Sequence, residues 1–240
     1  MHSTVSLFIP CLVDQIYPEI GMAMAIVLRR LGVKIKYDEA QTCCGQPAFN
    51  SGYRDEALSV AAHFLEVFRE AEVIVAPSGS CVAMIRNFYP HLFAGHPKLE
   101  AAQALGKRVF EFSEFLVNQL GFVDVNATFN RKAGFHNSCH SYRELRISEE
   151  PLKLLRHVRG LELIVPPGEP VCCGFGGTFS IKFPAISQTM TRSRLETFEQ
   201  LGVDTVISND PGCVMQMRQE AKARGSKLEV MHLAVVLASG

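Results

Sequence analysis

The chain has 240 residues, 48% of them hydrophobic, enough to bury one large core or two small ones. Its 24 basic and 24 acidic residues give a formal net charge of zero. The basic residues are scattered, so we expect no nucleic-acid partner. The N-terminus lacks the pattern of a signal peptide, and no apolar run is long enough to span a bilayer. We therefore expect a cytoplasmic protein without a transmembrane segment.

The first half of the chain alternates short apolar runs with amphipathic segments. Strands are predicted over residues 4–10, 33–40 and 72–81, and helices over residues 15–32 and 54–71. The first of these helices ends at a glycine, a common signal for a helix C-terminus.

The second half repeats this order. Apolar runs at residues 133–139, 161–174 and 204–213 correspond to the three strands, and helices are predicted over residues 149–160 and 183–202. Each half closes on a similar tail, "KRVFEFSEFLVNQLG" and "SKLEVMHLAVVLASG". Short apolar strands that alternate with helices are typical of parallel sheets covered on both faces.

The predicted fold class is therefore α/β, with two tandem pseudo-symmetric domains. We predict that each domain has a small parallel sheet flanked by helices, and that the domains cover residues 1–125 and 126–240. The boundary is placed within residues 121–132, "GFVDVNATFNRK", where no proline-rich or glycine-rich linker marks it.

The cysteines repeat with the halves. They form two sets of four: Cys11, Cys43, Cys44 and Cys81, then Cys139, Cys172, Cys173 and Cys213. In each set a single cysteine precedes a CCG triplet, by 32 and 33 positions, and the last cysteine follows the pair by 37 and 40 positions. This near-equal spacing indicates a duplicated unit. A buried cysteine is commonly a small apolar core residue, but eight in one repeated pattern favour a functional site.

The predicted elements place every cysteine after a strand and before a helix. That is the carboxyl edge of a parallel sheet, where α/β folds bind ligands. Three loops at this edge would bring the four thiols of one half together, so we predict two separate four-thiol sites. Helix N-termini at the same edge favour thiolates, and the glycines of "CCGQP" and "CCGFGG" allow close backbone approach.

Four thiolates suit zinc or an iron–sulfur cluster. Structural zinc sites usually use C-x₂₋₄-C pairs, which this chain lacks, whereas a multi-iron cluster accommodates adjacent thiols more easily. A zinc-stabilised scaffold or assembly module stays open as an alternative, as does a thiol redox subunit of the dithiol–disulfide type. The lack of C-x-x-C counts against the last.

The duplicated pattern, with "FHNSCHSYRELR" and "VCCGFGGTFS", resembles the cysteine-rich (CCG) domain family over nearly the whole chain. This family includes the CCG-containing subunit of heterodisulfide reductase, the glycolate oxidase iron–sulfur subunit and the lactate-utilisation iron–sulfur protein A group, and the chain is most similar to the last. The resemblance implies an iron–sulfur oxidoreductase subunit in which the eight cysteines hold clusters of [4Fe–4S] type, one per domain.

The resemblance also implies partners and a substrate. In that group the protein acts with two partner proteins, one of them ferredoxin-like, in oxidising L-lactate, a small 2-hydroxy acid, to pyruvate by electron transfer. One departure concerns the ligands, because the heterodisulfide reductase member ends each motif with C-x-x-C. Ser78 and Asp210 stand at the first position of that pair here, where each could supply an oxygen ligand or a hydrogen bond. Cubane or non-cubane form, and occupancy of one site or both, stay open.

Other residues near the second set are candidates for supporting roles. His136 and His140 flank Cys139 and could move protons or donate hydrogen bonds to cluster sulfurs; they are the candidate catalytic residues. Arg143 and Arg146 could bind a carboxylate, although a solvated helix face is the favoured interpretation. Met22, Met24 and the phenylalanines of the helices are predicted core residues.

Overall fold

The computed structural model describes residues 4–240, in which eight strands form two four-stranded sheets. The strands are β1 (Val5–Leu7), β2 (Ile35–Tyr37), β3 (Val73–Ala76), β4 (Val109–Glu111), β5 (Thr128–His136), β6 (Arg159–Ile164), β7 (Thr205–Ser208) and β8 (Glu229–His232). All pairs are parallel, and the strand orders are β2-β1-β3-β4 and β6-β5-β7-β8. The two sheets have the same topology, so the predicted α/β fold with two pseudo-symmetric parallel sheets is confirmed.

Helices connect the strands and cover the sheets. In the first half they are α1 (Cys11–Gln15), α2 (Pro18–Arg30), α3 (Gln46–Asn50), α4 (Arg54–Val67), α5 (Gly79–Ala83), α6 (Tyr89–Leu92), α7 (Leu99–Gly106) and α8 (Phe112–Glu114). In the second half they are α9 (Glu149–Arg156), α10 (Phe179–Lys182), α11 (Pro184–Gln200), α12 (Pro211–Ala223) and α13 (Leu233–Ala238). Three π-helical turns complete the set, at Met84–Phe88, Phe115–Gln119 and His140–Glu144.

The predicted elements differ from the structure mainly in their bounds. The run at residues 161–174 is a strand only to Ile164, because a proline and glycine segment follows it. The predicted helix over residues 15–32 begins at Pro18, which occupies the first turn, where proline is favoured.

The prediction of a core position is wrong for two residues, Met22 and Phe183. Met24 is buried, but 64% of Met22 is exposed, since residues two apart on a helix face nearly opposite directions. Phe183 is also 52% exposed, because it precedes Pro184 and lies outside the helix that it was predicted to begin.

The halves share a hydrophobic core. One cluster of buried side chains runs from β1 and α2 in the first half through α9 and α13 in the second. The tail helix α13 packs on α2, and α8 with the π-helical turn at Phe115–Gln119 packs on α9. Each half therefore places its C-terminal tail on the other half. The division at residues 125 and 126 stays a prediction.

Within residues 4–240, no helix is both long and apolar enough to cross a membrane.

Candidate metal centres

The order of the first sheet gathers the first four thiols. β1 lies between β2 and β3, so the loops after these three strands are neighbours at the carboxyl edge. Cys11 begins α1 after β1, the Cys43–Cys44 pair lies between β2 and α3, and Cys81 lies in α5 after β3. The Cys11 thiol donates to Cys43 Sγ at 3.7 Å. Cys44 in turn interacts with both Cys43 and Cys81, so the four thiols form a connected chain.

The second half repeats this arrangement. Cys139 follows β5, the Cys172–Cys173 pair follows β6, and Cys213 lies in the first turn of α12 after β7. The Sγ atoms of Cys173 and Cys213 lie 3.1 Å apart, and Cys172 interacts with both Cys139 and Cys173. The predicted grouping of thiols is present in both halves.

Burial follows the repeat as well. The first cysteine of each set and the first of each pair are half-buried, whereas the second of each pair and the last cysteine are buried. Every site therefore has two thiols below the surface and two thiols nearer to solvent.

Hydrogen bonds favour one thiolate in each site. Those from Cys11 and Cys44 lower the pKa of Cys43 to about 3, and those from Cys139 and Cys173 lower the pKa of Cys172 to about 2. The same bonds raise the pKa values of the donors Cys11 and Cys139, with burial as a further cause. Both sites thus centre on a thiolate at the first cysteine of the pair, the reactive form toward metals.

The glycine of each CCG triplet has the same role twice. Gly45 and Gly174 have φ values of +83° and +90°, which side-chain-bearing residues rarely adopt. Their N–H groups donate to Cys43 Sγ and Cys172 Sγ, each at 3.4 Å. A Cβ at Gly174 would lie 2.5 Å from the Ser187 carbonyl oxygen. Glycine therefore turns the backbone at both positions so that an N–H points at the thiolate, and at Gly174 no space is left for a side chain.

The two sites lie beside each other. The carboxylate of Asp210, from the second half, accepts a hydrogen bond from the Ser78 hydroxyl at 3.3 Å and from the Ser80 N–H at 2.9 Å. Asp210 lines both a cavity of about 390 Å³ at the first thiol set and one of about 50 Å³ at the second. Gln46, next to the first CCG triplet, reaches His140 Nε2 at 3.4 Å. The carboxyl edges of the two sheets therefore meet at the thiols.

This repeated arrangement matches a known family. Residues 5–86 and 133–218 each match the family described as "CCG: Cysteine-rich domain", and each stretch holds one set of four cysteines. The chain belongs to the cysteine-rich (CCG) domain family. This confirms the family resemblance predicted from the cysteine pattern.

Relatives in this family are similar along their whole length. The chain is 47% identical to "Lactate utilization protein A" of Bacillus velezensis over 236 residues, which are 98% of this chain and 99% of the relative. It is 44% identical to the protein of the same name in Bacillus subtilis, with the same coverage.

One solved structure has the same fold. It is a hypothetical protein from Helicobacter pylori with a TM-score of 0.66 and 11% sequence identity, covering 100% of this chain and 49% of that one. The chain thus spans about half the length of that solved protein, and the likeness concerns the fold alone.

The two CCG repeats differ most clearly three residues before their first cysteine. The first repeat has Phe8 there, fully buried in an apolar cluster. The second has His136, equally buried, whose Nδ1 accepts a hydrogen bond from Arg194 Nε at 3.1 Å. Burial, and then the Arg194 charge, lower the pKa of His136 to about 3. His136 is therefore neutral, and because its Nδ1 is the acceptor, the ring proton lies on Nε2.

His136 lies against the second thiol set. One of its ring nitrogens and the sulfurs of Cys173 and Cys213 lie within 4.8 Å of one another. Within residues 4–240, its Nε2 has no hydrogen-bond partner. His140 is placed differently: it is half-buried, with Nδ1 3.7 Å from the sulfur of the adjacent Cys139. The structure thus brings both histidines to the second site, and their catalytic role stays a prediction.

Arg194 is a site residue that the sequence argument missed. It lies on α11, on a face whose other buried members include Thr191, Leu195 and Phe198. The spacing of those neighbours puts position 194 on the core side of the helix. A charged residue at a core position was therefore the signal in the sequence that could have identified Arg194. Arg143 and Arg146, by contrast, are exposed, in keeping with a solvated surface.

Proposed function

We propose that this chain is the iron–sulfur subunit of an oxidoreductase system that serves lactate utilisation. The observation that carries the proposal is the pair of complete four-thiol sets, side by side, in a chain similar over its full length to Lactate utilization protein A. The cysteines of each set would hold one cluster of [4Fe–4S] type. When bound, such a cluster supplies one-electron transfer.

The residues fit a cluster in three ways. Each set offers four thiols, the usual complement for an iron–sulfur cluster. One thiol of each set already has a strongly lowered pKa, as metal binding requires. The glycine N–H groups donate to those same sulfurs, and hydrogen bonds of this kind are among the contacts that set cluster potentials.

Two adjacent one-electron centres suit the reaction. Oxidation of L-lactate to pyruvate releases two electrons and two protons, so a pair of centres can accept both electrons. Within residues 4–240, the side chains of Ser78 and Asp210 join the two sites directly. We propose that electrons leave through partner subunits, one of them a ferredoxin-like iron–sulfur protein, and that the system works in the cytoplasm.

A zinc-stabilised scaffold is the second candidate, because one distance between two sulfurs matches the spacing of sulfurs around zinc. Sulfurs around a tetrahedral zinc lie about 4 Å apart, given Zn–S bonds near 2.3 Å, and the Sγ atoms of Cys11 and Cys43 are 3.7 Å apart. A zinc scaffold would bind one or two zinc ions per chain, would show no visible absorbance and would unfold on chelation.

Growth of a deletion strain tests the proposed function. We expect deletion of the gene to abolish growth on L-lactate and to leave growth on glycolate intact. The wild-type gene should restore growth, and a Cys44→Ser, Cys173→Ser double variant should not. Arg143→Gln, at an exposed arginine outside both thiol sets, is the matched control and should restore growth. Unimpaired growth of the deletion strain on L-lactate would refute the proposal.

A further inference from the structure

A separate cavity of about 190 Å³ lies beside the second thiol site. Its lining includes Asn137, Tyr142, Ser148, Leu152, Val165 and Arg194, and none of the eight cysteines contributes to it. The volume is several times the roughly 30 Å³ of one water but below the ~300–1,000 Å³ of pockets for drug-sized ligands. The cavity therefore suits a small molecule of a few carbon atoms.

Arg194 is the buried cation of this cavity. Only 6% of the residue is exposed, its Nε donates to His136, and its guanidinium lies 4.4 Å from the centre of the Phe198 ring. Within residues 4–240, Arg194 forms no salt bridge, and its Nη1 and Nη2 atoms make no hydrogen bond. Buried charges in proteins are normally paired. Burial lowers the pKa of Arg194, and the charges of Cys173 and Cys213 act against that shift, so the thiols of the second site are its negative neighbours. No carboxylate within residues 4–240 pairs with its Nη atoms, which stay available to a ligand in the cavity.

Two hydroxyl groups lie in the same cavity without partners. Within residues 4–240, neither the Tyr142 phenol nor the Ser148 hydroxyl forms a hydrogen bond, and both residues line the cavity with Arg194. The acidic residues of the lining, Glu149 and Glu169, are exposed, and Glu149 pairs with Arg156 at 3.4 Å. A cation with neutral hydroxyl groups is the donor set that a small hydroxy acid requires.

We propose that this cavity is a binding site for a small monocarboxylate carrying a 2-hydroxyl group. Nη1 and Nη2 of Arg194 bind the carboxylate, and the hydroxyls of Tyr142 and Ser148 contact its polar substituent. Nε of the same guanidinium holds His136, whose ring lies against the sulfurs of Cys173 and Cys213. Arg194 and His136 would therefore connect the bound acid to the second thiol site. This assignment deepens the proposed function, on which it rests, and adds a substrate site to it.

Arg194, and not Arg143 or Arg146, is the arginine placed to bind a carboxylate in this cavity. Arg143 and Arg146 are exposed and do not line the cavity. An exposed guanidinium gains little from one carboxylate in water, whereas a largely buried one without a carboxylate partner gains more from a charge-assisted hydrogen bond. Arg143 therefore serves as the matched control for Arg194.

Isothermal titration calorimetry with sodium L-lactate tests the site, with sodium chloride at equal ionic strength as the reference. It is run on anaerobically reconstituted protein whose iron and sulfide contents are measured in parallel. We expect saturable binding that Arg194→Gln and Arg194→Lys each weaken by at least about tenfold, since lysine keeps the charge but loses the planar fork. Arg143→Gln should bind as wild type does. Val165→Trp, which fills the cavity from its exposed side and leaves Arg194 in place, should block binding in a folded protein.

Several outcomes would overturn the assignment. They are no saturable heat with L-lactate, equal binding of chloride, undiminished binding in Arg194→Gln or Val165→Trp, and equal loss in Arg143→Gln. A change in iron content without any change in lactate binding in Arg194→Gln would make Arg194 a counter-charge of the metal centre and refute a carboxylate site. Lactate binding by protein that takes up no iron on reconstitution would support the site and count against the clusters, so the two failures are distinguishable.

Discussion

Ser78 and Asp210 occupy equivalent places, three residues before the last cysteine of each set. Each is the N-cap of the helix that carries that cysteine: Ser78 Oγ accepts from the Cys81 N–H at 3.4 Å, and Asp210 accepts from the Gly212 N–H at 3.0 Å. Their side chains also hydrogen-bond to each other. The oxygens that might have replaced a fifth thiolate are thus engaged in capping and in joining the halves.

This arrangement predicts the effect of removing the Asp210 carboxylate. Asp210→Ala should lower the free energy of unfolding by about 2–3 kcal/mol, because it removes a helix cap and two bonds to the first half. The metal content should stay at the wild-type value. Urea unfolding and metal analysis on the same samples check both points, and loss of metal without loss of stability would show Asp210 to be a ligand.

His136 gives the second site a polar neighbour that the first site lacks. Replacing it with phenylalanine, the residue at the equivalent position 8, removes an N–H donor and the link to Arg194. The reduced centre carries more negative charge than the oxidised one, so loss of the N–H donor should destabilise the reduced form. The midpoint potential should therefore fall by on the order of 60 mV, which is a tenfold change in the one-electron reduction equilibrium. Redox titration followed by EPR measures this shift. The exposed His157→Phe is the control, and an unchanged potential in His136→Phe would contradict the role.

At the scale of elements, the two tail helices begin in the same way with different residues. Glu111 caps α8 and His232 caps α13, and each is buried with one side-chain atom that has no partner within residues 4–240. Both caps sit at the end of the last strand of their sheet. The repeat thus preserves the capping position and changes its acid–base chemistry.

Glu111 should make the protein less stable as the pH rises. Burial raises the pKa of this carboxyl from 4.5 to about 7. The unfolded chain loses the proton near pH 4.5 and the folded chain only near 7, so stability falls across this interval by about 3 kcal/mol. Glu111→Gln should lack that fall, whereas the exposed Glu56→Gln should retain it. Chemical denaturation at several pH values from 4.5 to 8 gives the free energy of unfolding of each protein as a function of pH. The same pH dependence in wild type and Glu111→Gln would refute the role of Glu111.

His232 should have the opposite effect. Burial lowers its pKa from 6.5 to about 4, so the unfolded chain takes up a proton near pH 6.5 that the folded chain refuses until pH 4. Stability therefore falls as the pH falls from 6.5 to 4. His232→Asn keeps a capping side chain and should remove this contribution. The same denaturation series, extended down to pH 4, measures it. Equal acid sensitivity in wild type and variant would contradict the assignment.

Sequence alone could predict the sheets and the thiol sets, because both depend on local patterns that occur twice. Alternating strands and helices define the sheet edge, and the cysteine spacing places the thiols there. It could not predict contacts between the halves, since Ser78 and Asp210 are 132 positions apart and belong to different repeats. Arg194 was missed for a related reason: its partner His136 lies in the same repeat but on β5, 58 positions away, so no local pattern joins the two.

At the scale of the whole molecule, the tails bind the halves into one unit. Arg30, in the last turn of α2, donates to the carbonyl oxygens of Val125, Leu237 and Ala238 at 2.8–3.2 Å. The hydrophobic cluster around α2 and α13 continues through both sheets. We therefore expect the chain to unfold in a single transition.

A cavity in α13 tests this. Leu237 is fully buried, and Leu237→Ala should cost about 2–5 kcal/mol while the protein still unfolds in one calorimetric transition. The exposed Met22→Ala, on α2, should change stability by less than about 0.5 kcal/mol. Two separate transitions, with only one shifted by Leu237→Ala, would show that the halves are independent.

The central claim is that each four-thiol set holds an iron–sulfur cluster, and iron and acid-labile sulfide counted per chain after anaerobic reconstitution test it most directly. Two clusters of four irons predict about eight irons and about eight sulfides in the wild-type protein. Cys44→Ser and Cys173→Ser should each retain about half of this content, because each variant disrupts one set and leaves the other intact. A wild-type content below about two irons, with one or two zinc ions in their place, would contradict the account.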